Sequence, residues 1–220
     1  MKFIRKIGSA VVLVLLMAFS INAQVRSTEK AAADLRKNVI NEDRGQAFLI
    51  TTPEQAPLSD LKARQSSLPK QISIFLGDEW YGDPLRSLQP ALSNLFESAG
   101  AASELDAAGF KTPASYNPFA QMPYSDVQGI ADLQVQEQIR TAFAEKAIGP
   151  ADNTVIVVVF IAPSIHSRLA EQESGKHFLA YKNTLNISSI RMRYVVVPLD
   201  ANPRNADVVA RKAFLTALTN

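Results

Sequence analysis

The sequence predicts a layered α/β domain, a mixed central sheet packed by helices, and three observations carry that prediction. Residues 154–161 (TVIVVVFI) are a continuous β-branched run, the pattern of a strand buried on both faces in the middle of a sheet. Residues 193–197 (RYVVV) form a second core strand, closed by Pro198. Segments with helical spacing lie between and beyond these runs, so strands and helices alternate.

Along the chain, Ala47, Phe48, Leu49 and Ile50 make a short strand candidate, and 51–67, with Pro53 and Pro57, reads as a connector. The compact domain is expected to open near Leu68. Residues 72–76 (ISIFL) alternate and are β-rich, so they predict a strand ending at Gly77. Leu92, Leu95, Phe96, Ala99 and Ala102 recur at helical spacing over 90–108. Pro90 suits the first turn, Gly100 is a candidate break and Gly109 a stop. Residues 111–124 hold three prolines and read as a loop. Asp132 is placed to cap a helix carrying Val135, Ile139, Ala142 and Phe143, stopped by Gly149 and Pro150. Residues 166–190 read as a polar excursion holding both histidines. The last helix, 206–219, is apolar on most sides and should pack on the sheet.

The amino terminus predicts export. Lys2, Arg5 and Lys6 precede a ten-residue apolar run, 10–19, and a small residue, Ala23, marks a cleavage site. That run is too short to cross a bilayer core of about 30 Å as a helix. The organisation expected is a signal peptide over 1–23, a polar arm and linker over 24–67, and one α/β domain over 68–220, with no transmembrane span after cleavage. Removing the leader takes 23 basic and 21 acidic side chains to 20 and 21, a net charge of −1. Such a surface offers no footprint for nucleic acid. The absence of cysteine excludes a lipid-modified terminus, disulfides, thiol nucleophiles and thiolate metal sites.

Few side chains suggest chemistry. His166 and His177 stand eleven residues apart, which does not match two ligands on one helix face, so no metal site is expected. No Gly-x-Ser-x-Gly elbow and no phosphate-cradling glycine loop occurs, so neither catalytic residues nor a cofactor site can be assigned. The densest polar cluster is Asp78, Glu79, Trp80, Tyr81 and Asp83, directly after the first core strand. Carboxylates beside aromatics at a strand end can hold a sugar or a cation. The competing and favoured reading is an acidic turn whose Trp80 plugs the edge of the core.

The order of motifs over about residues 70–220 resembles a family of secreted, mostly bacterial proteins related to the plant Exordium (phosphate-induced) proteins. Carrying it are Ile74-Phe75-Leu76-Gly77-Asp78-Glu79-Trp80, Asp132-Leu133-Gln134-Val135-Gln136, the run from Asn153 to Pro163, and Tyr194-Val195-Val196-Val197-Pro198. The resemblance implies a fold with a zincin-like topology. It also implies a His-Glu-x-x-Glu turn in the last helix, whose positions here are Lys212, Ala213 and Thr216. None of these can ligate a metal or supply a base, and Tyr181-Lys182-Asn183 stands where relatives carry Tyr-His-Asn.

The function expected is therefore a non-catalytic protein, periplasmic or secreted, that binds a protein or carbohydrate partner at the cell envelope. The alternatives are a hydrolase with an atypical or metal-dependent site, built on Asp78, Glu79 and Asp83 or on the two histidines, and an accessory subunit of an envelope complex. Amino-terminal sequencing of exported protein should begin at or near Gln24; intact Met1 in a membrane fraction would contradict the leader.

Overall fold

The computed structural model describes residues 48–51, 70–107, 118–126, 129–202 and 204–218. The expected leader, most of the expected arm and linker, and the Gly109 stop lie outside them. Along the chain come β1 (Phe48–Ile50), β2 (Lys70–Leu76), a 3-10 turn (Asp78–Tyr81), α1 (Leu85–Ser93), α2 (Ala99–Ala107), β3 (Phe119–Met122) and β4 (Ile130–Ala131). There follow α3 (Asp132–Ala144), β5 (Val155–Ile161), β6 (Ser167–Leu169), β7 (Gln172–Glu173), β8 (Ala180–Ile187), β9 (Ile190–Pro198) and α4 (Ala206–Leu218). Six strands form one sheet in the order β1-β8-β9-β5-β2-β3, and β4, β6 and β7 form a second, small sheet. β3, β2, β5 and β9 run parallel, while β8 is antiparallel to both β9 and β1. The central sheet is mixed and packed by helices, as the sequence predicts.

All seven residues of β5 are buried, and the strand pairs in parallel with β2 on one side and β9 on the other. A strand so placed has no solvent-facing side, which is why its sequence shows no polar alternation. Each buried Val or Ile there contributes about 1.5–3 kcal/mol relative to exposure. Side chains on the neighbouring strands alternate between two layers. Gln71 donates from Nε2 to the Leu92 carbonyl of α1, and Arg193 and Lys182 reach the Ala217 and Thr216 carbonyls of α4. From the opposite face, Tyr194 and Asn183 reach Asp132 of α3. Helices therefore cover both faces of the sheet.

The structure corrects several sequence expectations. The helix expected over 90–108 is two helices, the first of which begins at Leu85. Pro90 sits inside α1, not in its first turn, and the helix ends three residues later. The break falls at 94–98 rather than at Gly100, because the Ser98 hydroxyl accepts the Ala101 N–H and starts α2 there. The proline-bounded stretch expected as a loop contains β3, and the polar excursion contains β6, β7 and β8. Asp132 is not the cap of α3 but its first residue. The Ala131 N–H is taken by the Gln134 side chain at 2.8 Å, which frees the Asp132 carboxylate for other partners.

α4 packs on β8 and β9. Val209, Phe214, Leu215 and Leu218 are buried, whereas Val208 is half-buried. The Phe214 ring lies 5.2 Å from that of Phe96, and Arg211 ties α4 to α2 through Glu104 at 3.4 Å. The Lys182 ammonium and the Arg193 guanidinium donate to the last carbonyls of α4 at 2.8 and 3.1 Å, favourable for the negative end of the helix dipole. Phe214→Ala should lower unfolding stability by about 3–5 kcal/mol. Lys212→Ala should change it by less than about 0.5 kcal/mol. Denaturant unfolding of both variants checks the contrast, and an unmoved midpoint for Phe214→Ala would contradict this packing.

Candidate functional site

The acidic cluster follows β2 because of one glycine. Gly77 adopts φ 122°, and a Cβ there would stand 2.6 Å from the Ala162 Cβ and 2.9 Å from the Ile165 side chain. Only glycine lets the end of β2 pass this close to the end of β5 while turning the chain outward. The 3-10 turn that results splits the candidate residues. Trp80 goes inward, wholly buried, with its ring 4.7 Å from that of Phe75. It plugs the core edge and is withdrawn from any surface role. Asp78, Glu79, Tyr81 and Asp83 are exposed.

The turn is held by a small amide network. Gln89 of α1 and Gln121 of β3 both donate from Nε2 to the Trp80 carbonyl, at 3.0 and 3.4 Å, and Gln121 also donates to Gln89 Oε1 at 2.7 Å. The Tyr81 hydroxyl donates to the Gln121 carbonyl at 3.4 Å. Around this network stand the three large apolar side chains that are exposed among the described residues. These are Tyr81 at 49%, Phe119 at 46% and Leu88, next to Gln89, at 42%. Phe119 begins β3, and its ring meets Phe75 edge-on at 5.7 Å. Single exposed apolar residues are ordinary, but Tyr81 and Phe119 meet at the β3 edge through the Gln121 carbonyl and strand, with Leu88 one residue from Gln89 on α1, and together they make a surface patch. Phe119, Leu88 and Gln121 were not legible as site residues. Phe119 and Gln121 are joined to Tyr81 only by the pairing of β3 with β2 in the folded sheet, and Leu88 only through Gln89 of α1.

A second group lies past the carboxyl ends of β5 and β9, the end of an open α/β sheet where ligands bind. His166 Nδ1 is 2.8 Å from Asp200 Oδ2, and the same oxygen accepts the Ser174 hydroxyl at 2.6 Å. The His166 side chain is 69% exposed and that of Asp200 only 8%. A buried carboxylate thus orients an exposed imidazole, the arrangement that prepares a general base. The two histidines do not share a site. His177 Nδ1 accepts the Glu173 N–H instead, at 3.0 Å. Among the described residues no three His, Asp or Glu side chains gather as a metal site. Asp200 and Ser174 escaped the sequence reading because neither belongs to a spaced motif.

Beneath the sheet, Asp132 accepts from the Tyr194 hydroxyl at 2.7 Å and from the amides of Gln136 and Asn183, each at 3.0 Å. Burial and the nearby Asp132 carboxylate push the Tyr194 and Tyr181 hydroxyls well above the ordinary tyrosine range. Burial, reinforced by Arg193, holds the Lys182 ammonium below its ordinary value. Lys182 of β8 contacts Thr216 of α4 as a helix cap, which is structural work. Comparison of the chain with protein-family models, with curated proteins and with solved structures returns no match.

Proposed function

We propose that this chain is an exported, non-catalytic α/β protein that recognises a protein or carbohydrate partner at the cell envelope. The observation that carries this reading is the patch at the β3 edge. The exposed Tyr81, Leu88 and Phe119 border one hydrogen-bonded network, and Asp78, Glu79 and Asp83 rim it. Exposed apolar area of this kind, bounded by charge, is the composition of a recognition surface. The expected leader over 1–23 supports a location outside the cytoplasm, and the resemblance to Exordium-like proteins without the ligating residues of the last helix supports binding over catalysis. Among the described residues no helix is long and apolar enough to cross a membrane.

A hydrolase is the second reading, and the His166–Asp200 pair favours it. A nucleophile is what the geometry leaves unsupplied: the Ser174 hydroxyl is directed at Asp200, and His166 Nε2 makes no hydrogen bond among the described residues. Water would have to serve as the nucleophile.

Immobilised mature protein and a Tyr81→Ala/Phe119→Ser variant, each challenged with solubilised envelope proteins and with cell-wall glycans, separate these readings. Retention should fall about tenfold or more in the variant, the loss of one to two well-buried contacts, while the variant still unfolds in a single cooperative transition. Equal retention by both proteins contradicts the proposed surface. Hydrolysis of ester or peptide substrates that disappears with His166→Ala would replace binding by catalysis.

A further inference from the structure

β3 is an edge strand, and its register decides which of its backbone groups are free. It pairs in parallel with β2, Phe119 opposite Ser73 and Gln121 opposite Phe75. The Ser73 N–H donates to the Pro118 carbonyl at 3.2 Å and the Gly77 N–H to the Met122 carbonyl at 2.9 Å. In a parallel ladder the groups facing the partner strand come from alternate residues, so Pro118, Ala120 and Met122 face β2. The N–H and C=O of Phe119 and Gln121 therefore point away from the sheet. Of these four groups, only the Gln121 carbonyl meets a partner among the described residues, the long 3.4 Å contact from Tyr81.

Edge strands are commonly protected by charge, proline or a bulge. β3, with the sequence FAQM, has no charged residue and no proline within it. It presents two residues' worth of paired donors and acceptors, with an exposed aromatic at its start and Tyr81 beside its end. From this geometry we infer that β3 receives an extended peptide segment of a cationic partner, which adds a seventh strand to the sheet. This deepens the proposed function and rests on it. An antiparallel segment would exchange N–H···O bonds with Phe119 and Gln121 and lay alternate side chains over Phe119 and Tyr81.

The charge of the partner follows from the rim. Asp78, Glu79 and Asp83 are exposed on the turn, with Arg86 the exposed cation at the start of α1. A segment carrying Lys or Arg at alternate positions would meet these carboxylates. A second copy of this chain, paired edge to edge about a two-fold axis, would instead set two acidic rims side by side, a like-charge arrangement that opposes association.

The probe is a library of random decapeptides displayed on phage and selected on the mature protein. Enriched sequences should carry Lys or Arg alternating with β-branched or aromatic residues. A synthetic peptide of the enriched sequence should bind Gln121→Pro about tenfold more weakly than Gln121→Ala, which lacks the same side-chain amide but keeps the outward N–H. Methylating alternate backbone nitrogens of the peptide should weaken it equally, which tests strand pairing without altering the protein's fold. No enrichment, neutral or acidic consensus sequences, or indifference to N-methylation would overturn strand addition. If the Tyr81→Ala/Phe119→Ser variant still loses its envelope partner in that case, the recognition surface stands and only the mode of binding is wrong. If it loses nothing, both readings fall.

Discussion

Everything in this fold depends on β5 being buried along its whole length between two parallel neighbours. A strand in that position must be apolar on both faces, and the run from Val155 to Ile161 meets the requirement without exception. Burying both faces forces helices above and below, which fixes α1, α2 and α4 on one side and α3 on the other. Phe160 extends the constraint sideways. Its ring stacks on Phe75 at 5.4 Å, and Phe75 in turn meets Trp80 and Phe119. The surface patch at the β3 edge is thus mounted on an aromatic chain that begins in the central strand.

That mounting explains how one short turn can be anchored in the core and still present an exposed aromatic. Burying Trp80 anchors the turn with a large apolar side chain. The next residue, Tyr81, is driven outward as a consequence, and the amides of Gln89 and Gln121 satisfy the Trp80 carbonyl where the turn leaves the helix and strand. A rigid exposed aromatic loses less conformational freedom on binding than one on a loose loop. The carboxyl-end group is mounted differently. Asp200 follows β9 and His166 follows β5, so their 2.8 Å contact depends on the parallel pairing of those two strands.

The sequence made the strands with strong intrinsic signals legible, and the reasons for the misses are physical. β5 and β9 announce themselves as β-branched runs. β8 does not, because Lys182 and Asn183 look like surface residues until α4 supplies carbonyls for one and α3 a carboxylate for the other. β3 is four residues between two prolines, and nothing local distinguishes it from loop; its strand character comes from β2. The same logic governs the candidate site. The fate of Trp80 could be argued from its size, and the acidic turn from its composition. The neighbours that turn Tyr81 into part of a patch, Phe119 and Leu88, are brought to it only by tertiary structure, as Asp200 is brought to His166.

The central claim is that the β3 edge stands open for a partner, and amide hydrogen exchange in the free protein, resolved by residue, tests it most directly. Ala120 and Met122, whose N–H groups face β2, should exchange about tenfold or more slowly than Phe119 and Gln121, whose N–H groups face outward, with β5 slowest of all. Equal protection of all four β3 amides would mean that the chain covers this edge itself, and would contradict the account.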